Sequence, residues 1–387
     1  MVSDAGAHVM QIERIETIPL RVPLGRVYRG SYYWMTHRST IVTRVHMSNG
    51  IVGEAFVGDE DDTNAAIEQV IRTEILPKIK GENAQQVQRI WQLMRPVTFN
   101  ILRDRRIGLV AQACVDTAIW DAIGKCYGQP LWKLWGGYRS EIPMIWTGGY
   151  YDEPGGIDAE LRRAKDAGVH GMKFKVGGLS PEEDADRFIA ARKAVGDGFV
   201  LIADANQGWS PDQAVRFARL VADHDLYYFE EPVRWDNDHR GMRDVRYRSG
   251  ARVCAGQSEY SAGGCRDLMV AGAIDFCNFD GSWSGGPTEW LRVAAMALAF
   301  DVTMSHHEEA HIGAHLLAAI PNGTFADTMH VDRDPIWYGL IANRPNPDGG
   351  IIRLGERPGL GWELDEDYIA KYRVEYDENG LVAGGAR

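Results

Sequence analysis

Two textures of hydrophobic and polar positions follow one another along the chain. In the first, residues 12–22 and 39–56 are rich in β-branched residues, and Ser48-Asn49-Gly50 supplies a hairpin turn within the second stretch. Helical periodicity then takes over at about 64–80, 84–94 and 107–126, so strands followed by helices predict an α+β unit ending near Gly136-Gly137. In the second texture, short apolar runs recur at 143–147, 171–176, 199–203, 226–229, 252–255, 274–279, 302–304 and 324–329. Helix-compatible segments lie between them, among them 159–167, 181–195, 212–223 and 287–299. Eight such runs with intervening helices are the arithmetic of a (β/α)8 barrel. An open doubly wound sheet gives a similar alternation, but no phosphate loop or GxGxxG fingerprint supports it.

The expected architecture is therefore an α+β capping domain over residues 1–137 and a TIM-type (β/α)8 barrel over 138–334. A Gly- and Pro-rich segment, 335–387, with a possible helix at 364–374, is expected to fold back on the capping domain. Composition narrows the function. The 387 residues are 45% hydrophobic and 25% charged, an ordinary globular mix. The net charge of −12 leaves no broad basic face for nucleic acid. No apolar run is long enough to cross a bilayer, and Asp4, Glu13 and Glu16 interrupt any secretory leader, so no membrane role and a cytoplasmic location are expected. Five scattered cysteines without a CxxC pair predict reduced thiols rather than a disulfide framework or thiolate zinc site.

The ionisable residues fall at one end of the predicted strands, where barrel enzymes hold their chemistry. In order they are Lys173 and Lys175, Asp204 with Asn206, Glu230 with Glu231, Gln257 and Glu259, Asp280, His306 and His307, and Asp327. Asp204 and Glu230 stand one strand–helix repeat apart on one rim, and hard oxygen ligands there suit magnesium. Lys173 and Lys175, two apart on a strand, point into the barrel mouth together. Mutual repulsion, and a nearby cation, should lower the pKa of at least one lysine toward that of a general base. Asp280 and His307, on neighbouring strands, form a candidate His–Asp pair, whereas His306 alternates to the other side and reads as structural. Taken singly, each of these has a bland reading, as a helix cap, a solvated lysine or a hydrogen-bonded core histidine. The ordered series favours chemistry.

These motifs resemble the enolase superfamily, in particular its mandelate racemase/muconate lactonizing enzyme subgroup. The resemblance covers nearly the whole chain. It begins with Asp116-Thr117-Ala118-Ile119-Trp120-Asp121, Gly124-Lys125 and the stretch from Leu131 to Gly137. It continues through Lys173-Phe174-Lys175, Ala203-Asp204-Ala205-Asn206, Phe229-Glu230-Glu231-Pro232, Met304-Ser305-His306-His307 and Ala314-His315-Leu316-Leu317. The resemblance implies Mg2+ held by Asp204 and Glu230, Lys175 and His307 as bases on opposite faces of the substrate, and Lys173 adding positive charge near its carboxylate. It also implies a small carboxylic acid as substrate and a homo-oligomeric assembly. Two positions depart from the family pattern. Gln257 stands where the third, acidic, metal ligand is usual, so either its amide oxygen or Glu259, two residues on, fills that place. Asp327 stands near a usual glutamate that hydrogen-bonds the enolate, and its shorter side chain would reach substrate only through a water.

Loss of the α-proton followed by β-elimination of water, as in sugar-acid dehydratases, is the expected reaction. The alternatives are racemisation or epimerisation, and a silent relative that only binds a metal or an acid. Substrate choice should come partly from a capping loop at 26–38, with Arg29, Tyr32, Tyr33, Trp34 and His37; the same aromatics would also suit domain packing. The string His307-Glu308-Glu309-Ala310-His311 satisfies the zinc-protease pattern, but its first histidine ends a predicted strand, so the two should not share a helix face.

Overall fold

The computed structural model describes residues 9–58, 63–345, 347 and 349–376. The start of the capping domain (1–8) and the end of the C-terminal segment (377–387) lie outside the described residues.

Three antiparallel strands open the chain: β1 (Ile12–Arg29), β2 (Trp34–Met47) and β3 (Val52–Val57), in that order across the sheet. The region read as a capping loop is mostly strand, because pairing of β1 with β2 resumes at Tyr28 opposite Met35 and reaches Arg29 opposite Trp34. Only residues 30–33 form the tip. One face of this sheet packs on the helix Arg105–Tyr127, capped by Asp104 and closed by Gly128 in the left-handed region. That helix is long and apolar enough to span a membrane, but it is the buried core helix of the capping unit.

Eight parallel strands follow: β4 (Glu141–Gly148), β5 (Gly171–Lys175), β6 (Val200–Asp204), β7 (Leu226–Glu230), β8 (Val253–Ala255), β9 (Phe276–Cys277), β10 (Thr303–Met304) and β11 (Ala326–Met329). They hydrogen-bond in the order β10-β9-β8-β7-β6-β5-β4-β11. A bridge from Met304 to Gly323, just ahead of β11, brings the two ends of this path together and closes a TIM-type barrel. All eight apolar runs of the sequence are strands. The helices between them start where local chemistry demands it: Ser180-Pro181 with Glu183, and Ser210-Pro211 with Gln213, form capping boxes.

Alternation along the barrel strands separates two environments. Met172, Phe174, Leu201, Ala203 and Phe229 face the helices in the main core. Ile145, Ile202, Tyr228, Cys254 and Phe276 fill the barrel interior as a separate apolar floor. The polar residues Lys173, Lys175, Asp204 and Glu230 belong to the inward-facing set, at the end of the strands.

The C-terminal segment touches both units. A last strand, β12 (Ile351–Arg353), pairs antiparallel with β4, and the helix Glu366–Tyr372 lies against β1, where Leu20 bridges Arg373. Capping unit and barrel are joined by buried polar contacts. The Asp116 carboxylate accepts from both the backbone N–H and the hydroxyl of Thr288, at the start of the barrel helix Pro287–Ala299. The Trp120 indole donates to that same hydroxyl, and the Trp91 indole donates to the Gly285 carbonyl.

Candidate active site

At the carboxyl ends of the strands, β5, β6 and β7 are in register, with Lys175 beside Asp204 and Asp204 beside Glu230. The ammonium of Lys175 donates to Asp204 Oδ2 at 2.7 Å, and that of Lys173 sits 2.7 Å from both Glu230 Oε1 and Asp327 Oδ2. All five side chains are buried. Burial alone would depress both lysine pKa values. The carboxylates more than offset it, Asp327 and Glu230 for Lys173 and Asp204 for Lys175, so both ammoniums are held well above the usual lysine range. Without a cation on the rim, the carboxylates that touch the two ammoniums outweigh their mutual repulsion, and it is a bound cation, the other half of the expected lowering, that would compete for the Asp204 charge.

The carboxylates themselves differ. Burial opposes the Asp204 charge, but Lys175 and Lys173 hold its pKa below the ordinary value. Burial pushes Glu230 up, with Asp204 and Asp327 adding to the push against Lys173. Two acids in a dry rim position, one with its charge resisted by the other, suit a divalent cation.

Gln257 lines a cavity together with Lys175, and its amide is fixed by a reciprocal pair: Asn278 Nδ2 donates to Gln257 Oε1 at 2.9 Å, and the Gln257 backbone N–H donates to Asn278 Oδ1. Glu259 is placed elsewhere. β8 ends at Ala255, so strand alternation no longer applies two residues beyond Gln257. The Glu259 carboxylate turns instead to His239 Nε2 at 3.2 Å, over the bare Cα of Gly264, and forms with Asp238 and His239 a cluster apart from the rim.

Across the mouth, His307 Nδ1 pairs with Asp280 Oδ2 at 2.9 Å. Asp280 is fixed in turn by the hydroxyl and backbone N–H of Ser282. Burial alone would lower the His307 pKa, but the Asp280 hydrogen bond and the Glu308 carboxylate carry it to about 9. Relative to an unfolded histidine near ~6.5, the folded chain holds this proton more tightly. Its contribution is thus complete below pH ~6.5 and is lost as pH rises through about 9. Melting temperatures followed between pH ~6.5 and ~9.5 are expected to fall further for the wild type than for His307→Asn, the difference corresponding to about 3 kcal/mol.

His306 is structural, as its alternation implied. Its Nε2 accepts from the Gly281 N–H, and its Nδ1 faces the His307 and Glu308 carbonyls. The zinc-protease string is likewise not a metal pair, because the helix begins at Ala310. His311 on that helix donates to the Phe56 carbonyl and stacks on the Phe56 ring at 3.6 Å, whereas His307 precedes the helix. Asp327 bonds Lys173 and accepts from the Thr147 hydroxyl and the Glu308 backbone N–H.

Lys175, His307, Gln257 and Asn206 open on one cavity of about 290 Å³. The hairpin tip of the capping sheet roofs it with Tyr33, Trp34 and Met35, and the Tyr33 hydroxyl donates to Asn206. Arg29 and His37 of the same hairpin are turned away, toward Tyr151 and Arg21. Trp283 and Arg106 line the cavity without any sequence signal, and Glu308, named only within the zinc-protease string, lines it as well. Trp283 packs against the His307 ring at 4.8 Å with the Arg106 guanidinium over its other neighbourhood, 4.4 Å from its ring centre. Glu308 joins the cavity through a backbone conformation that no motif announces.

Comparison with known proteins places this geometry. Residues 18–136 match the family model of the mandelate racemase/muconate lactonizing enzyme N-terminal domain, and residues 156–368 match that of the enolase C-terminal domain-like fold. The chain is 30% identical over 378 residues to a 3,6-anhydro-alpha-L-galactonate cycloisomerase of Streptomyces coelicolor, covering 94% of this chain and 99% of the relative. It is 27% identical to an arabinonate dehydratase of Saccharolobus solfataricus, over 87% of this chain and 91% of the relative. A crystal structure of a mandelate racemase/muconate lactonizing enzyme from a marine actinobacterium, in complex with magnesium, is 55% identical. It superimposes with a TM-score of 0.90, covering 95% of this chain and all of the other. A capped barrel with this rim defines an enzyme of the lyase or isomerase kind. The chain belongs to the mandelate racemase/muconate lactonizing enzyme group of the enolase superfamily.

Proposed function

We propose that the protein is a magnesium-dependent dehydratase of a hydroxylated carboxylic acid, acting by α-proton abstraction and loss of a β-hydroxyl. The supporting observation is the pair of proton-transfer groups, Lys175 and the Asp280-held His307, that line one cavity beside the Asp204–Glu230 rim. In this reading Asp204, Glu230 and the amide oxygen of Gln257 hold the cation, and the Asn278 contact keeps that amide aimed. Bound there, magnesium stabilises the substrate carboxylate as its α-proton leaves and takes up the Asp204 charge that otherwise holds the Lys175 proton.

The chain's own groups do the rest. Lys175, relieved of that charge and repelled by Lys173, accepts the α-proton. Lys173, held by Glu230 and Asp327, keeps its positive charge near the carboxylate. His307 enters protonated at neutral pH and donates from Nε2 to the departing β-hydroxyl, with Asp280 stabilising the imidazolium through Nδ1. Tyr33, Trp34 and Trp283 give the cavity an aromatic wall beside these groups.

The test is a panel of mono- and dicarboxylic sugar acids with magnesium in deuterated buffer, following α-proton exchange and 2-keto acid formation together. Exchange and keto acid that both vanish with chelator are expected. Exchange with inversion and no keto acid would instead make the enzyme a racemase or epimerase. Magnesium-independent behaviour, or no exchange of any acid, would overturn the reading.

A further inference from the structure

Glu308 and Glu309 are consecutive, neither is glycine, and both lie in the left-handed region at φ 45° and 47°. Such conformations are costly for side-chain-bearing residues and persist only where surrounding contacts enforce them. Here the enforcing group comes from the capping sheet. Arg38 of β2 reaches across the domain boundary, with Nη1 on Glu308 Oε2 at 3.0 Å and Nη2 on Glu309 Oε1 at 3.5 Å. The Glu308 backbone N–H is held by Asp327. The strained turn has a visible product: it carries the Glu308 carboxylate into the cavity next to His307.

With Oε2 engaged by Arg38, the other oxygen stands 3.9 Å from His307 Nε2 and 4.0 Å from the Arg333 guanidinium. Both spans exceed hydrogen-bond length and leave room for an intervening donor. His307 Nε2 is the ring nitrogen turned away from Asp280, hence the one that meets substrate. Burial works against the Glu308 charge, but His307, Arg38 and Arg333 hold its pKa at about 2, so it is an anion throughout the working range. An ionised carboxylate accepts from a hydroxyl strongly and repels a second carboxylate.

We infer that Glu308 reads a substrate hydroxyl beside His307 and excludes a carboxylate there, which makes the site one for polyhydroxylated monocarboxylic acids rather than sugar diacids. This rests on the proposed α-proton chemistry and adds the substrate class to it. The same carboxylate also helps keep His307 protonated, so substrate reading and proton supply share one anion.

Three matched pairs of probes decide the matter: arabinonate with arabinarate, galactonate with galactarate, and gluconate with glucarate. Each pair differs only in whether the terminal carbon is a hydroxymethyl or a carboxylate. Magnesium-dependent α-proton exchange is expected to favour the monoacid of the best pair by about 10- to 100-fold in kcat/KM. Glu308→Gln is expected to raise KM for that monoacid about tenfold with a smaller change in kcat, and to bring the pair toward equality. Glu308→Asp should keep the preference. A wild type that exchanges diacid and monoacid equally overturns the inference, and that comparison needs no variant to fold. So does a Glu308→Gln protein that loses both acids by one common factor, as a purely structural role would produce. Absence of exchange with every probe would instead sink the α-proton chemistry and the inference with it.

Discussion

Lys175→Ala and His307→Asn are each expected to cut turnover by a factor on the order of 10² to 10⁴ while magnesium binding persists. The two losses should differ in kind. Lys175 is the proposed acceptor of the α-proton, so its removal should abolish solvent exchange and keto acid formation together. His307 is proposed to donate to the leaving hydroxyl, so His307→Asn should suppress keto acid formation while exchange continues at a higher residual rate. Deuterium incorporation read by NMR beside a keto acid assay separates them. Asp280→Asn should follow His307→Asn in direction, because the lost carboxylate is the group that orients the imidazole and keeps it protonated. If both single variants turned over like wild type, the assignment of proton-transfer groups would be wrong.

The second large effect is on the cation rim. Asp204→Asn is expected to remove magnesium-dependent activity and to destabilise the fold by about 3–5 kcal/mol, because it strips the Lys175 ammonium of its carboxylate in a buried position. Glu230→Gln should abolish activity equally but cost less stability, since Lys173 retains Asp327 at 2.7 Å. Added magnesium should raise the melting temperature of the wild type, by mass action on the folded state, and leave both variants unmoved. Equal destabilisation by the two substitutions would contradict the unequal pairing of the lysines.

Much of this was legible in the sequence because a barrel strand is short and its polar end is conspicuous. Lys173-Phe174-Lys175 runs inward, outward, inward, and register with Asp204 and Glu230 follows from adjacent parallel strands. The pairing of Asp280 with His307 was readable for the same reason. Where the backbone leaves the strand, that logic fails. Gln257 and Glu259 looked equivalent under alternation, yet β8 stops at Ala255 and Gly256 turns at φ 140°, with Cys277 Sγ so close that a side chain there would collide. Which carboxylate touches which lysine was not legible either, because sequence order shows the neighbouring ammonium but not the pairing of Lys175 with Asp204 or of Lys173 with Glu230 and Asp327. Glu308 stood out only as part of the zinc-protease string, and its place in the cavity was not readable, since two glutamates rarely adopt a left-handed turn and the arginine that holds it lies on the capping sheet.

The clamp between Asp116 and Thr288, with the Trp91 and Trp120 indoles beside it, sets a cost on parting the capping unit from the barrel, because each buried partner would be left unpaired. These contacts fasten the start of the barrel helix Pro287–Ala299 and the Gly285 carbonyl to two helices of the capping unit, Val87–Met94 and Arg105–Tyr127. Beside that seam, the bend at 30–33 sets Tyr33 against the cavity, while Tyr32 within the bend and the adjoining Trp34 are largely exposed.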